Sequence, residues 1–153
     1  MLATSDDLRR LATEVRTLTE ARFTSCGEAT VAGALTSDGD VLTGIWIDAA
    51  VDSAALCAAT GPICEAHRRG VAVVASLCMQ RERGDSSIRV LPACGICQER
   101  LAVWGRGVLI AVDSPDSHDP IFETLRELRP HYWNQSSGTN LRDDPTTDSA
   151  DPP

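Results

Sequence analysis

The sequence predicts an α/β domain, a three-layer α/β/α sandwich around a mixed central sheet. Three observations point to it. The elements run helix, hairpin, helix, strand, helix, strand. The hairpin supplies antiparallel pairing. Two short apolar runs, residues 71–79 and 108–112, read as buried strands with a helix between them. At 153 residues the chain is long enough for one domain with a substantial core.

Residues 5–22 read as the first helix. Ser5 and Asp6 can cap it, and Leu8, Leu11, Val15 and Leu18 recur at helical spacing until Gly27 breaks the pattern. Residues 29–36 and 41–47 read as a hairpin around Ser37-Asp38-Gly39-Asp40. A connection without strong period leads to a helix over 57–70, ending at Gly70 with Arg68 and Arg69 in its last turn, where cations suit the dipole. The apolar strand at 71–79 is followed by a polar, exposed loop at 80–89. Cys94 opens a helix over 94–104, and the buried strand at 108–112 comes next. Residues 114–120 read as a loop and 121–128 as a short strand or helix. The domain is expected to span residues 1–133. Residues 134–153 hold four Asp and three Pro with almost nothing apolar, so they read as a disordered acidic tail.

Composition narrows the function. The net charge of −8, with fourteen Arg and no Lys, argues against a nucleic-acid polymer as partner and favours a small neutral or cationic one. No apolar run approaches the roughly 20 residues needed to span a bilayer, and the first ten residues lack a signal-peptide core. The expectation is a cytoplasmic protein that does not engage membranes. In that setting the six cysteines point to metal or catalysis rather than to a disulfide framework. Cys26, Cys64 and Cys78 read as small buried hydrophobes.

Cys57, Cys94 and Cys97 carry the chemistry. Cys94-Gly95-Ile96-Cys97 places two sulfurs one helical turn apart at a helix start, and Cys57 opens a separate helix. Three thiolates can hold Zn²⁺ and leave the fourth position for water, as catalytic zinc sites do. A structural zinc site and a redox pair are the competing readings of the same cysteines.

These segments together resemble the cytidine deaminase family of zinc-dependent nucleoside deaminases, and within it the branch of blasticidin S deaminase. The match runs from about Val31 to Trp133. Cys57-Ala58-Ala59 resembles Cys-Ala-Glu, and Cys94-Gly95-Ile96-Cys97-Gln98 resembles Cys-Gly-x-Cys-Arg-Gln. Leu125-Arg126-Glu127-Leu128-Arg129-Pro130, with Tyr132 and Trp133, resembles the family's closing segment. The resemblance implies a hydrolytic deaminase of a cytosine nucleoside or cytosine-containing nucleoside antibiotic, with Zn²⁺ on Cys57, Cys94 and Cys97. It places Trp46, Asp48, Ala58, Tyr132 and Trp133 around the substrate. It also implies a homo-oligomer, tetramer or dimer.

The departures from the family are as informative. Ala59 stands where the family has the glutamate that shuttles protons. Glu65, eight residues beyond Cys57 and so about 12 Å along a helix, is too far to replace it. Glu99, past Cys97, should point away from the metal. Trp46 and Asp48 replace the Asn and Glu that hold the ribose, and Thr60 replaces an Arg that screens thiolate charge. The chain therefore reads as a deaminase disabled at residue 59, by an engineered Glu→Ala change. The alternative is a natural, non-catalytic, zinc-containing nucleoside-binding protein.

Overall fold

The computed structural model describes residues 3–22, 28–82, 87–114 and 117–134. The expected tail, apart from Asn134, lies outside the described residues, as does Cys26. The elements are α1 (Ser5–Arg22), β1 (Ala29–Thr36), β2 (Val41–Ile45), α2 (Thr60–Arg69), β3 (Val73–Arg81), β4 (Arg89–Val90), α3 (Gly95–Leu101), β5 (Leu109–Ser114), β6 (Ser117–Thr124) and α4 (Leu125–Leu128). Single 3₁₀ turns occupy Asp52–Ala54 and Ala102–Trp104.

The sheet is mixed and runs β2-β1-β3-β5-β6. β1 pairs antiparallel with β2 and β3, β3 pairs parallel with β5, and β5 turns back antiparallel into β6. The short β4 shares an edge of β3 with β5, pairing at Met79 and Gln80 while β5 pairs at Ala75 and Ser76. This is the three-layer α/β/α sandwich with a mixed sheet that the element order predicts.

Strand alternation sorts the two layers. Val31 and Leu35 of β1 and Ala75, Leu77 and Met79 of β3 pack with Leu11 and Val15 of α1. Gly33 lets α1 settle onto the sheet: a Cβ there would lie 2.5 Å from Val15 Cγ2 and 2.7 Å from Leu11 Cδ1. On the opposite face Ala32 and Ala34 meet Ile63 and Ala66 of α2 and Cys97 and Leu101 of α3, with Trp104, Ile110, Leu125 and Tyr132 closing that core. Gly44 does for α2 what Gly33 does for α1. A Cβ at residue 44 would lie 2.5 Å from the Ala58 carbonyl and 2.6 Å from Pro62, so glycine allows β2 and the start of α2 to touch.

Several boundaries differ from the sequence reading. β2 stops at Ile45, because Ile47 instead bridges to Leu56 and draws the chain toward the second layer. α2 begins at Thr60 rather than at Cys57, with Ala58 and Ala59 in a turn closed by Thr60 N–H donating to the Cys57 carbonyl at 2.9 Å. The polar stretch after residue 79 is partly strand: β3 runs on to Arg81, and Arg89–Val90 returns beside it. The expected loop at 114–120 already belongs to β6 from Ser117, because hairpin pairing with β5 satisfies its backbone whatever its side chains. The segment at 121–128 is both strand and helix, changing at Thr124. That residue caps α4, its hydroxyl accepting from Glu127 N–H while the Glu127 carboxylate accepts from Thr124 N–H. Cys64 is exposed on α2, not buried, because it falls on the face turned away from Ile63 and Ala66.

Candidate active site

The site forms where two segments converge. The turn before α2 brings Cys57, and Cys94 and Cys97 flank the first turn of α3, with Cys94 as its N-cap. Their three sulfurs lie within 4.8 Å of one another, and Cys97 Sγ approaches Cys57 Sγ at 3.2 Å. At about 2.3 Å per zinc–sulfur bond, sulfurs on one ion can be at most about 4.6 Å apart. Only small side-chain adjustments separate the observed set from a zinc triad, so the residues fit that ion. Cys97 is buried and Cys94 exposed, so the triad spans from the core to the surface.

The thiols are electrostatically unequal. Cys57 is pulled down to about 6, chiefly by the hydrogen bond it accepts from Cys97 and also by the Ala59 N–H, Cys94 and the charge of Arg100. Cys97 moves upward, because it donates to Cys57 and is buried. Cys78 is pushed up to about 12 by burial and by the neighbouring Cys57 and Cys94. Cys78 lines the cavity wall beside the triad.

The sulfurs open onto a cavity of about 260 Å³. Its walls come from the β1 and β3 residues that face away from α1, namely Thr30, Ser76, Cys78 and Gln80, with Trp46 at the end of β2 and Leu91, Pro92 and Ala93 ahead of α3. Ala59 lines it too. Among the described residues, Glu28 is the only carboxylate in the lining. The sequence reading missed it because it sits just ahead of a strand in no motif. Its one visible signal was period-two alignment with Thr30.

Other residues singled out by sequence lie elsewhere. Ala58 is buried under β2 and does not line the cavity, nor does Asp48, whose carboxylate accepts from Ala49 N–H at 2.9 Å. Tyr132 and Trp133 are outside the lining as well. Glu99 gathers them: its Oε1 accepts from Tyr132 Oη at 2.6 Å and from Trp133 Nε1 at 3.3 Å, and Arg129 pairs with its Oε2 at 2.9 Å. The Arg129 guanidinium also stacks 4.6 Å above the Tyr132 ring. Glu99 thus faces away from the metal triad and pins the closing segment, its own carboxyl held below the usual range by Tyr132 and Arg129. Trp46, by contrast, does reach the cavity while remaining 47% exposed.

A cation from α3 bears on Cys57. Arg100, one turn beyond Cys97, donates from Nη1 to Thr60 Oγ1 at 2.9 Å, tying α3 to α2 beside Cys57. The position on α2 that lacks a basic side chain is served from α3.

The chain matches no protein-family model and no curated protein. Solved structures are similar to it. One is the cytidine deaminase from Bacillus anthracis, at 35% identity over 85% of this chain and 91% of that one, with a TM-score of 0.80. Another is the cytidine deaminase from Mycobacterium tuberculosis, at 27% identity over 86% of this chain and 98% of that one, with a TM-score of 0.59. The cytidine deaminase from Burkholderia pseudomallei shares the fold at 18% identity, with a TM-score of 0.55.

Proposed function

The chain belongs to the cytidine deaminase family, and on that premise we propose that it is built for zinc-dependent hydrolytic deamination of a cytosine ring in a nucleoside or nucleoside antibiotic, with proton transfer disabled at Ala59. The observation that carries the proposal is the triad of Cys57, Cys94 and Cys97 opening onto a cavity that Ala59 also lines. The reaction exchanges a ring amine for a carbonyl: water adds at the carbon, and ammonia leaves. When bound, zinc supplies Lewis acidity and an acidified water.

The chain's own groups do the rest. Cys57, Cys94 and Cys97 hold the ion, and Arg100 offsets part of the thiolate charge. Thr30 and Ser76 present hydroxyl groups along one wall, where a ring's polar edge can be fixed. Trp46 supplies an apolar surface. Two proton movements remain, from water to the ring and then to the departing amine. Ala59 has no titratable group for either, and loss of a general acid/base typically costs about 10²–10⁴ in rate.

Single-turnover kinetics test this directly. The Ala59→Glu protein, loaded with zinc, should deaminate a cytosine nucleoside at least about 100-fold faster than the present chain, while affinity changes little. Equal rates in the two forms would remove residue 59 from proton transfer. A second reading, a zinc-containing nucleoside-binding protein without catalysis, draws on the same alanine in the cavity wall. It is the answer if Ala59→Glu binds the nucleoside and stays inert.

A further inference from the structure

Glu28 gives the cavity a chemistry that the metal triad does not require. It sits at the outer end, one strand step beyond Thr30 and next to Gln80, which is the partner of Thr30 across β1 and β3. Its polar contact among the described residues is Gln80 Nε2, at 3.4 Å. That contact is oriented from behind. Arg89 donates to Gln80 Oε1 at 2.8 Å from Nη2 and at 3.3 Å from Nε, so the amide must turn its NH₂ toward Glu28. Arg89 is itself paired with the Glu82 carboxylate. A long hydrogen bond from a neutral amide does not cancel the Glu28 charge.

Resting on the deaminase reading above, we propose that this end of the cavity is a subsite for a protonated amine, so that the preferred substrate is a cytosine derivative bearing a cationic substituent on the side remote from the reacting carbon. Three features converge on that chemistry. The Glu28 carboxylate, without a cationic partner among the described residues, lines the cavity at the end away from the thiolates. Trp46 lines the same space, and an indole face also attracts cations. Asp48, the acid that sequence places beside Trp46, is engaged with Ala49 N–H and does not reach the lining, so Glu28 is the acid in position. The net charge of −8 adds a long-range bias in the same direction.

Calorimetric binding to the zinc-loaded full chain tests the subsite, with cytidine and 5′-amino-5′-deoxycytidine as the probes. Their rings are identical and only the amine differs. The amine should bind about fivefold tighter at low salt, the scale of one exposed ion pair, and the preference should vanish near 0.5 M salt. Glu28→Gln should abolish the preference and leave cytidine affinity unchanged. Equal affinities in the present chain overturn the subsite and leave the deaminase reading standing. A preference that survives Glu28→Gln, or that ignores salt, also overturns it. Failure of both probes to bind at millimolar concentration overturns the subsite and the deaminase reading together.

Discussion

The two faces of the central sheet are made by the same strands and do opposite things. Along β3, Ala75, Leu77 and Met79 point toward α1, while Ser76, Cys78 and Gln80 point toward the cavity. β1 repeats the division, with Val31 and Leu35 on one side and Thr30 on the other. The α1 face is filled: Leu11, Val15, Leu35, Leu77 and Met79 are all fully or almost fully buried. The cavity face is under-filled, because small or polar residues replace the branched ones and leave space beside the thiols. The difference teaches that the fold's stability and its chemistry are read from alternate positions of one strand. A one-residue slip would exchange them.

The sharpest test of this division is Cys94→Ala. It removes a ligand from the under-filled face and touches nothing on α1. Zinc affinity should fall by more than the ~10–100-fold typical of losing an outer-shell partner, and metal analysis of purified protein should drop from one zinc per chain toward none. Full zinc occupancy in that protein would mean that the triad is not the metal site.

The converse change is Leu11→Ala. Leu11 is fully buried and lies over Gly33. Denaturant unfolding should show a loss of about 2–5 kcal/mol, the usual range for a leucine truncated in a packed core. The folded fraction should keep its zinc affinity within about twofold, since sites this separate usually act additively. A Leu11→Ala protein that folds yet loses zinc would break the comparison, because the two faces would then be one cooperative unit.

Much of this organisation was legible in the sequence, for physical reasons that differ by region. The first helix and the first strand of the hairpin stand at the expected residues because their apolar periods are strong and their turn is polar. The three cysteines come together as their spacing implies. What failed to show was anything decided by tertiary partners. Nothing in the local pattern of residues 114–120 reveals that β5 offers them a pairing edge. Tyr132 and Trp133 both bind Glu99, an attachment that links residues more than thirty positions apart and that no local pattern announces. Glu28 is the opposite case, a residue with no motif that the β1–β3 pairing carries into the cavity. Nor does the start of α2 at Thr60 follow from propensity, since Cys57 to Ala59 could continue the helix. Gly44 leaves the room there in which the Ala58 carbonyl approaches β2.

The smallest expected effect concerns Arg100, and it sharpens the picture of the cavity face by asking how its charge is balanced. Three thiolates and one Zn²⁺ carry a net charge of −1, at a site half open to solvent. Arg100 contributes a positive charge from α3, positioned by its hydrogen bond to Thr60. It is exposed, so solvent screens it, and its removal should weaken zinc only a few-fold, within about 1 kcal/mol. Chelator competition on Arg100→Ala should register that loss at low ionic strength and very little of it in high salt. If the charge matters more than the side chain's place in the sequence, the double variant Thr60→Arg with Arg100→Ala should recover the affinity from the opposite helix. Should Arg100→Ala weaken zinc equally at both ionic strengths, the arginine acts through packing of α2 against α3. Its electrostatic role would then be withdrawn.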